Sequence, residues 1–318
     1  MFLRQAAKGN NSFLVYLITI ISIPLGYFIG SLPIDLVLRW AVNRYDTITA
    51  TSIDEFYGGN PDFSLFNIDK NVGLILMICI FVGVLLVLYL GVKYLHKRPF
   101  RSLITPENAI NWNKIFFSFG FWIFLSISFE CILYILYPGD YSFHFEVKTF
   151  IPLLLIGLLI LPIQTTTEEL VFRGYLLQGI VHFYKAPWLA LLITSILFGL
   201  VHSANPEIAE YGAIPMQMYY VGAGLFLGLI TIFDNSLELA IGIHAATNFF
   251  GAVVVTYEGS VLQTDTLFKT SQINPWVALL IFALAAVIFM LICAKKYKWE
   301  SINALFKKLD TISSNEML

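Results

Sequence analysis

The sequence predicts an all-α polytopic membrane protein, a bundle of about eight transmembrane helices. Of its 318 residues, 58% are hydrophobic and only 13% are charged, whereas a soluble domain carries about 25% charge. The apolar residues are also gathered into runs of the length that crosses a bilayer, about 20 residues. These two observations exclude an ordinary soluble domain. The net charge of −2 argues against nucleic acid and leaves the lipid bilayer as the expected partner.

Eight apolar segments are long enough to be candidate spans. They are 13–33, 72–95, 113–137, 150–182, 187–203, 216–233, 237–255 and 276–294. The fourth is too long for one crossing, and Pro162 followed by three threonines predicts a break into two stacked pieces, 150–163 and 166–182. Residues 34–71 are predicted to form an acidic extramembrane loop with some amphipathic helix. Residues 256–318 are expected to hold the last span and a basic cytoplasmic tail.

The distribution of lysine and arginine predicts the orientation. With eight spans, both termini lie on one side of the membrane. Thirteen basic residues fall on that side: Arg4, Lys8, Lys93, Lys97, Arg98, Arg101, Lys114, Lys185, Lys295, Lys296, Lys298, Lys307 and Lys308. Five fall on the other: Arg39, Arg44, Lys70, Lys148 and Lys269. Because cytoplasmic loops carry the excess of positive charge, both termini are predicted to be cytoplasmic.

Ionisable side chains inside the candidate spans are few. Each costs about 2.5–3.5 kcal/mol on insertion scales, so each indicates a functional site by default. The candidates for a functional site fall in three segments: Glu168, Glu169 and Arg173 in the fourth span, His202 at the end of the fifth, and His244 with Asn248 in the seventh.

The first of these segments, from Thr165 to Arg173, has two interpretations. It fits a capping box, in which a threonine opens a helix and a glutamate three residues later reaches back to it. A capping box does not explain a buried arginine one turn later. Glu169 and Arg173 stand at i and i+4 and can pair on one helix face, whereas Glu168 is rotated away by about 100°. We therefore assign the Glu169–Arg173 pair to structure and Glu168 to chemistry.

The second segment ends in His202. A lone histidine in a membrane helix is as often a packing residue as a functional one. Counting about 1.5 Å per residue from the turn at 183–187 places Glu168 and His202 each roughly 22 Å along neighbouring antiparallel helices. The two side chains can therefore face each other.

The third segment holds His244 and Asn248, which share one helix face at i and i+4. Alanines between them permit close packing, and a simple interhelical polar contact is the competing interpretation. Counted from a turn near residue 235, His244 rises only roughly 14 Å. Either the polar turn at 234–236 is sunk into the membrane, or the helices are staggered.

In this order and on successive helices, the three segments resemble the motifs of a known family. Glu-Glu-x-x-x-Arg, Phe-x-x-x-His beginning at Phe198, and His-x-x-x-Asn are similar to those of the CPBP (CAAX protease and bacteriocin-processing, or Abi) intramembrane proteases. That family includes the type II CAAX prenyl endopeptidases. The resemblance covers residues 150–255, which we take as the catalytic core, preceded by N-terminal transmembrane helices in 1–149.

The resemblance implies an intramembrane endopeptidase and a role for each residue. Glu168 and His202 are expected to activate water, and His244 and Asn248 to stabilise the oxyanion. Glu169, Arg173 and Phe198 are expected to give structural support. Physical chemistry agrees, because imidazole and carboxamide donors aimed at an oxyanion are strengthened by a low dielectric.

A metal-dependent version of the same protease is the alternative mechanism. Glu168, His202 and His244 would make a His₂Glu zinc set with an open fourth position. The resemblance admits both versions, and we favour the one without a cofactor, with zinc as the alternative.

Two further classes compete with a protease. A transporter would favour inverted repeats and paired broken helices, but only the fourth span is predicted to be broken. A non-catalytic immunity or scaffold protein is expected to lack a polar position of the motifs, and all are present. The expected substrate is a membrane-associated peptide or protein. Residues 203–217 are rich in turn signals and are predicted to form the rim through which it enters from the extracytoplasmic side.

Overall fold

A computed structural model of the chain describes residues 1–57, 61–299 and 303–306. Thirteen α-helices are present in these residues: α1 (Phe13–Arg44), α2 (Ala50–Tyr57), α3 (Lys70–Leu90), α4 (Trp112–Leu136), α5 (Val147–Leu159), α6 (Leu161–Glu169), α7 (Leu177–Tyr184), α8 (Pro187–Val201), α9 (Pro206–Tyr211), α10 (Ala213–Asp234), α11 (Glu238–Phe249), α12 (Pro275–Tyr297) and α13 (Asn303–Phe306). Wider π-helical turns extend α3 over Gly91–Leu95, join α6 to α7 over Leu170–Leu176 and extend α11 over Phe250–Val254.

The polytopic membrane bundle is confirmed. In the described parts of the chain, six helical stretches are long and apolar enough to cross a bilayer. They are Phe13–Arg44, Lys70–Leu95, Trp112–Leu136, Val147–Tyr184, Ala213–Asp234 and Pro275–Tyr297. The other two predicted spans, Pro187–Val201 and Glu238–Val254, are apolar but shorter. At about 1.5 Å per residue, α8 is roughly 22 Å long, less than the roughly 30 Å of a hydrocarbon core. A helix of this length can end within the bundle. His202 directly follows the last residue of α8 and so lies inside the bundle.

The fourth span breaks earlier than the sequence predicted. The interruption is at Ile160, before Pro162, so α5 ends and α6 begins one turn ahead of the predicted position. The threonines therefore lie inside α6, and the capping-box interpretation is wrong. The hydroxyl of Thr167 donates to the carbonyl of Ile163 at 2.7 Å, which is how a threonine is satisfied within a helix.

The predicted acidic loop begins later than residue 34, because α1 continues as a helix to Arg44. The rest of that segment contains the short helix α2 and a 3₁₀ turn at Phe63–Phe66. The turn residues 58–60 of this segment, and Lys307 and Lys308 of the predicted basic tail, lie outside the described residues.

Close backbone contact joins α1 to α3. A Cβ atom on Gly26 would stand 2.7 Å from the carbonyl oxygen of Gly83, and one on Gly30 would stand 2.5 Å from that of Cys79. Small residues that let two backbones approach are the usual means of helix association in membranes. We expect a larger side chain at either glycine to push the two helices apart.

A small β-sheet, which the all-α prediction missed, lies at one end of the bundle. Its three-residue strands are β1 (Tyr141–Phe143), β2 (Val255–Tyr257) and β3 (Phe268–Thr270), in the order β1-β3-β2. Strand β3 pairs antiparallel with β1 and parallel with β2. Strands of three residues are too short to show an alternating pattern in the sequence. The sheet joins the chain that follows α4 to the chain between α11 and α12.

The polar turn between α10 and α11 is buried in the protein, and this explains how His244 reaches the depth of Glu168 and His202. Asp234 is buried, and its carboxylate lies 2.8 Å from Nζ of Lys114. Asn235 accepts a hydrogen bond at 2.7 Å from the backbone N–H of Phe2, in the N-terminal 3₁₀ helix. The backbone N–H of Leu237 donates to a carbonyl in the connection between α3 and α4. Helix α11 therefore starts deep in the bundle, and a short helix brings His244 to the required depth.

Candidate catalytic site

Three helices bring the predicted polar residues together. Glu168 is the penultimate residue of α6, His202 follows α8, and His244 lies in the middle of α11. Oε2 of Glu168 is 3.9 Å from Nε2 of His202 and 3.8 Å from Nε2 of His244. Its other carboxylate oxygen is 3.4 Å from Nε2 of Gln164. The predicted facing of Glu168 and His202 is confirmed, and His244 joins them.

The neighbouring carboxylate, Glu169, is fully buried and holds two partners. Its Oε1 accepts from Nη1 of Arg173 and contacts Nδ1 of His244, both at 2.7 Å. The predicted i, i+4 contact with Arg173 is therefore present. The second contact was not predicted. Because a carboxylate only accepts, Nδ1 of His244 carries a proton, and this fixes the ring with Nε2 towards Glu168.

Arg173 lies at the centre of the wide π-helical turn and is fully buried. Besides its ion pair with Glu169, its guanidinium carbon stands 4.2 Å from the ring centre of Phe198, and Nη2 donates to the carbonyl of Gly224 at 3.4 Å. The face of an aromatic ring attracts a cation, so Phe198 shields the charge as well as packing against it. These contacts support the structural roles predicted for Arg173 and Phe198.

His202 is held in one orientation by two contacts. Its Nδ1 lies 2.7 Å from the carbonyl oxygen of Phe198, and its ring stacks on Tyr220, with 4.5 Å between ring centres and 24° between planes. Since a carbonyl only accepts, Nδ1 carries the proton, and the neutral ring directs the lone pair of Nε2 towards Glu168. Tyr220 was not predicted, because nothing in its position on α10 distinguishes it from the other aromatic residues of the spans.

Asn248 lies one turn after His244 on α11 and is half-buried. The two residues share a helix face at i and i+4, as predicted. Its place beside the cluster rests on this periodicity, because no hydrogen bond joins its carboxamide to Glu168, His202 or His244 in the part of the chain that the structure describes.

A zinc ion does not fit the three side chains as they are arranged. Tetrahedral coordination at about 2.0–2.1 Å separates ligand atoms by roughly 3.3 Å, whereas Oε2 of Glu168 stands 3.8 Å and 3.9 Å from the two imidazole nitrogens. In the described ranges, no group of three His, Cys, Asp or Glu side chains has the spacing of a metal site.

A polar cavity of about 960 Å³ begins beside the cluster. Ser203, Ala204 and Asn205, which directly follow His202, form part of its wall. Strand β2 and the segment between β2 and β3 form much of the rest, and Lys70 at the start of α3 also contributes. The cavity therefore lies at the end of the bundle that carries the sheet.

Comparison with known proteins places these residues in a wider group. Residues 148–250 match the family model described as type II CAAX prenyl endopeptidase Rce1-like. The chain is also similar to the uncharacterized protein YyaK of Bacillus subtilis (strain 168), with 33% identity over 283 residues, which cover 88% of this chain and 91% of that protein. No solved structure matches the chain. The matched range includes every residue of the cluster.

Proposed function

The chain belongs to the Rce1-like type II CAAX prenyl endopeptidase (CPBP, or Abi) family, and on that basis we propose that it is an intramembrane endopeptidase that uses no metal ion. It hydrolyses a peptide bond in a membrane-associated peptide or protein. The observation that carries this proposal is the convergence of one carboxylate, Glu168, on two imidazoles from separate helices inside the bundle.

The first step is the activation of water by Glu168 and His202. Both groups present acceptors to the same space, a carboxylate oxygen and the lone pair of Nε2. A water molecule there can donate one hydrogen to each, which directs an oxygen lone pair at the scissile carbonyl carbon. As the C–O bond forms, Glu168 takes the proton as general base.

The resulting oxyanion is stabilised by His244 and Asn248. Nε2 of His244 donates only if the ring is doubly protonated, since Nδ1 already carries a proton towards Glu169. The amide of Asn248 supplies the second donor. The intermediate collapses as the C–N bond breaks, and Glu168 returns its proton to the leaving amine.

A transporter or scaffold has less support from the structure. Neither role requires a carboxylate with one buried oxygen that has no hydrogen-bond partner among the described residues, set within 4 Å of two imidazoles. Such a group is costly to bury and is typical of a catalytic centre.

The substrate can be identified by comparing the proteins of membranes that carry the wild type or Glu168→Gln. We expect one precursor to accumulate in Glu168→Gln cells and to be cleaved in wild-type cells. Glu130→Gln is the matched control. Glu130 is a half-buried carboxylate in α4 that accepts a hydrogen bond from the hydroxyl of Tyr141 and lies outside the cluster. A precursor that accumulates equally in both variants, or in neither, contradicts a protease.

We propose that the site opens on the extracytoplasmic side. The cavity next to His202 supports this, because it lies at the end of the bundle opposite the basic connections. An exported or membrane-spanning substrate is then favoured over a prenylated peptide in the cytosol. A cysteine at Asn205 should react with a membrane-impermeant maleimide in intact cells, and one at Lys185 should not. The reverse pattern would invert the topology and favour a cytosolic substrate.

The zinc alternative is tested by elemental analysis of the purified protein. We expect zinc far below one ion per chain and little inhibition by chelators. One zinc per chain, lost together with turnover in His202→Ala, would replace the proposed mechanism with the metal-dependent one.

A further inference from the structure

Four buried donor atoms without an acceptor gather at the end of the bundle away from the cavity. Arg98, in the connection between α3 and α4, is 3% exposed, and its Nη1 donates to Oε1 of Gln178 at 2.8 Å. Its Nε and Nη2 atoms are buried and have no hydrogen-bond partner among the described residues. The same holds for Oγ of Ser102 and the hydroxyl of Tyr16.

These donors belong to one cluster. Gln178, which holds Arg98, also donates from Nε2 to the backbone carbonyl of Ser102 at 2.9 Å. The ring of Tyr16 packs edge-on against His96, with 4.6 Å between ring centres, and Nε2 of His96 lies 2.7 Å from the hydroxyl of Tyr175. The Arg98 charge acts on the hydroxyls of both tyrosines.

The charge of Arg98 has no counter-charge in the described part of the chain. The groups that act on it are Tyr16 and Tyr175, and no carboxylate is among them. Burial lowers the pKa of the guanidinium, but an arginine remains charged in proteins. A buried charge needs a partner of opposite sign, so the charge of Arg98 indicates an anion, to which the two neighbouring hydroxyls can also donate.

The geometry of Arg98 indicates which kind of anion. Gln178 occupies Nη1, so the free atoms are Nε and Nη2. These form the side edge of the guanidinium, whose two parallel N–H bonds match two oxygens of one oxyanion. Two hydroxyl donors are available for its other oxygens. Lys93 and Lys97, both exposed close by in the chain, raise the local positive potential that attracts anions to a membrane surface.

We propose that Arg98, Ser102 and Tyr16 bind a phosphate group, carried either by an anionic lipid headgroup or by free phosphate. Arg98 lies in a non-helical connection, so a ligand can enter by displacing that connection without unwinding a span. The site lies beyond the far end of α3, whose first residue lines the cavity beside His202. It shares no side chain with the catalytic cluster, so its test does not depend on proteolysis.

The test uses the purified full chain. Its melting temperature is measured in nanodiscs of phosphatidylcholine with and without phosphatidylglycerol, and in detergent with inorganic phosphate or chloride at equal ionic strength. We expect the wild type to melt several degrees higher with one of these phosphate sources, because a ligand bound only to the folded state stabilises it. An effect of the lipid alone identifies a headgroup, and an effect of free phosphate identifies the ion.

Variants separate this site from general surface charge. Arg98→Met should abolish the shift, and Lys97→Met, which removes an exposed charge next to it, should keep most of it. Tyr16→Phe and Ser102→Ala remove only a hydroxyl, and each should weaken phosphate binding by roughly tenfold, even if Arg98→Met fails to fold. The proposal is overturned if the wild type shows no shift with either source, if Arg98→Met retains it, or if both hydroxyl variants bind as the wild type does.

Discussion

Two buried arginines in this bundle are treated in different ways. Arg173 is fully buried, pairs with Glu169 at 2.7 Å and lies over an aromatic ring. Arg98 is 3% exposed and has a glutamine as its hydrogen-bond partner, with no described carboxylate acting on it. Arg173 therefore has its counter-charge within the fold. Arg98 has none among the described residues, and for it we infer a ligand.

The proposed roles of the two regions account for this difference. A site that activates water needs charges fixed by the fold alone, so that each imidazole keeps one orientation between substrates. The Glu169–Arg173 pair provides this by holding Nδ1 of His244. A site that binds a mobile anion needs donors that stay unpaired until the anion arrives.

Replacing each arginine by methionine should give the largest difference in stability between the two positions. Arg173→Met should lower the free energy of unfolding by about 3–5 kcal/mol, because it leaves Glu169 buried without its cation. Arg98→Met should cost less in neutral lipid without phosphate, about 1–3 kcal/mol, because it leaves only the neutral Gln178 side chain without its donor. Thermal melting of both variants in phosphatidylcholine nanodiscs measures the contrast. Equal losses at the two positions would show that Arg98 has a charged partner within the chain.

Glu169→Gln removes the negative member of the ion pair with Arg173. It should cost about 1.5–3 kcal/mol, because the charged partner of Arg173 is lost, and it should lower turnover because His244 is no longer held. Glu168→Gln serves as the control, since it removes a buried charge that has no cationic partner at hydrogen-bond distance, and its melting temperature should not fall. A Glu169→Gln protein that melts and turns over like the wild type would remove this carboxylate from the account.

A third buried charge, Glu207 in α9, should give the smallest effect, a dependence of stability on pH. It is 2% exposed, and its Oε1 accepts from the backbone N–H of Val261 at 2.8 Å. Burial raises the pKa of its carboxyl, so the folded state favours the protonated form. That stabilisation is complete below the unfolded pKa of about 4.3 and is lost as the pH rises through the folded value.

Glu207→Gln removes this titration and keeps the side-chain shape. The melting temperature of the wild type should therefore fall relative to that of Glu207→Gln as the pH is raised from about 4 to about 8. A difference that stays constant over this range would show that Glu207 has the same pKa in both states. Because α9 follows the cavity wall at Ser203–Asn205, the same pair of proteins also reports how firmly the rim is held.

The bundle was predictable because its signal is local. Runs of apolar residues define the spans directly, and all eight predicted segments are helices. A break in the fourth span was predicted, but its position at Ile160 was not. The three-residue strands and the wide π-helical turns were not predicted either, because no local pattern of apolar residues indicates them. The sunk turn at 234–236 also required tertiary structure, since Phe2 and Lys114 cover it from distant positions.

The residues of the candidate site were predictable from the sequence, but most of their contacts were not. Intramembrane polar residues are rare, so Glu168, His202 and His244 stood out, and helix lengths placed the first two at one depth. The contact between Glu169 and His244 joins residues 75 positions apart and depends on side-chain direction, which periodicity does not give. Arg98 was counted only as one basic residue of a connection, because a sequence does not reveal that a loop side chain is buried.

The central claim is that Glu168 activates water for peptide hydrolysis, and turnover by purified protein tests it most directly. Wild type and Glu168→Gln would be given the precursor identified in membranes, in detergent, at equal concentration and with equal melting temperatures. Loss of the general base should lower turnover by about 10²–10⁴-fold. A Glu168→Gln protein that cleaves the precursor at the wild-type rate would contradict the account.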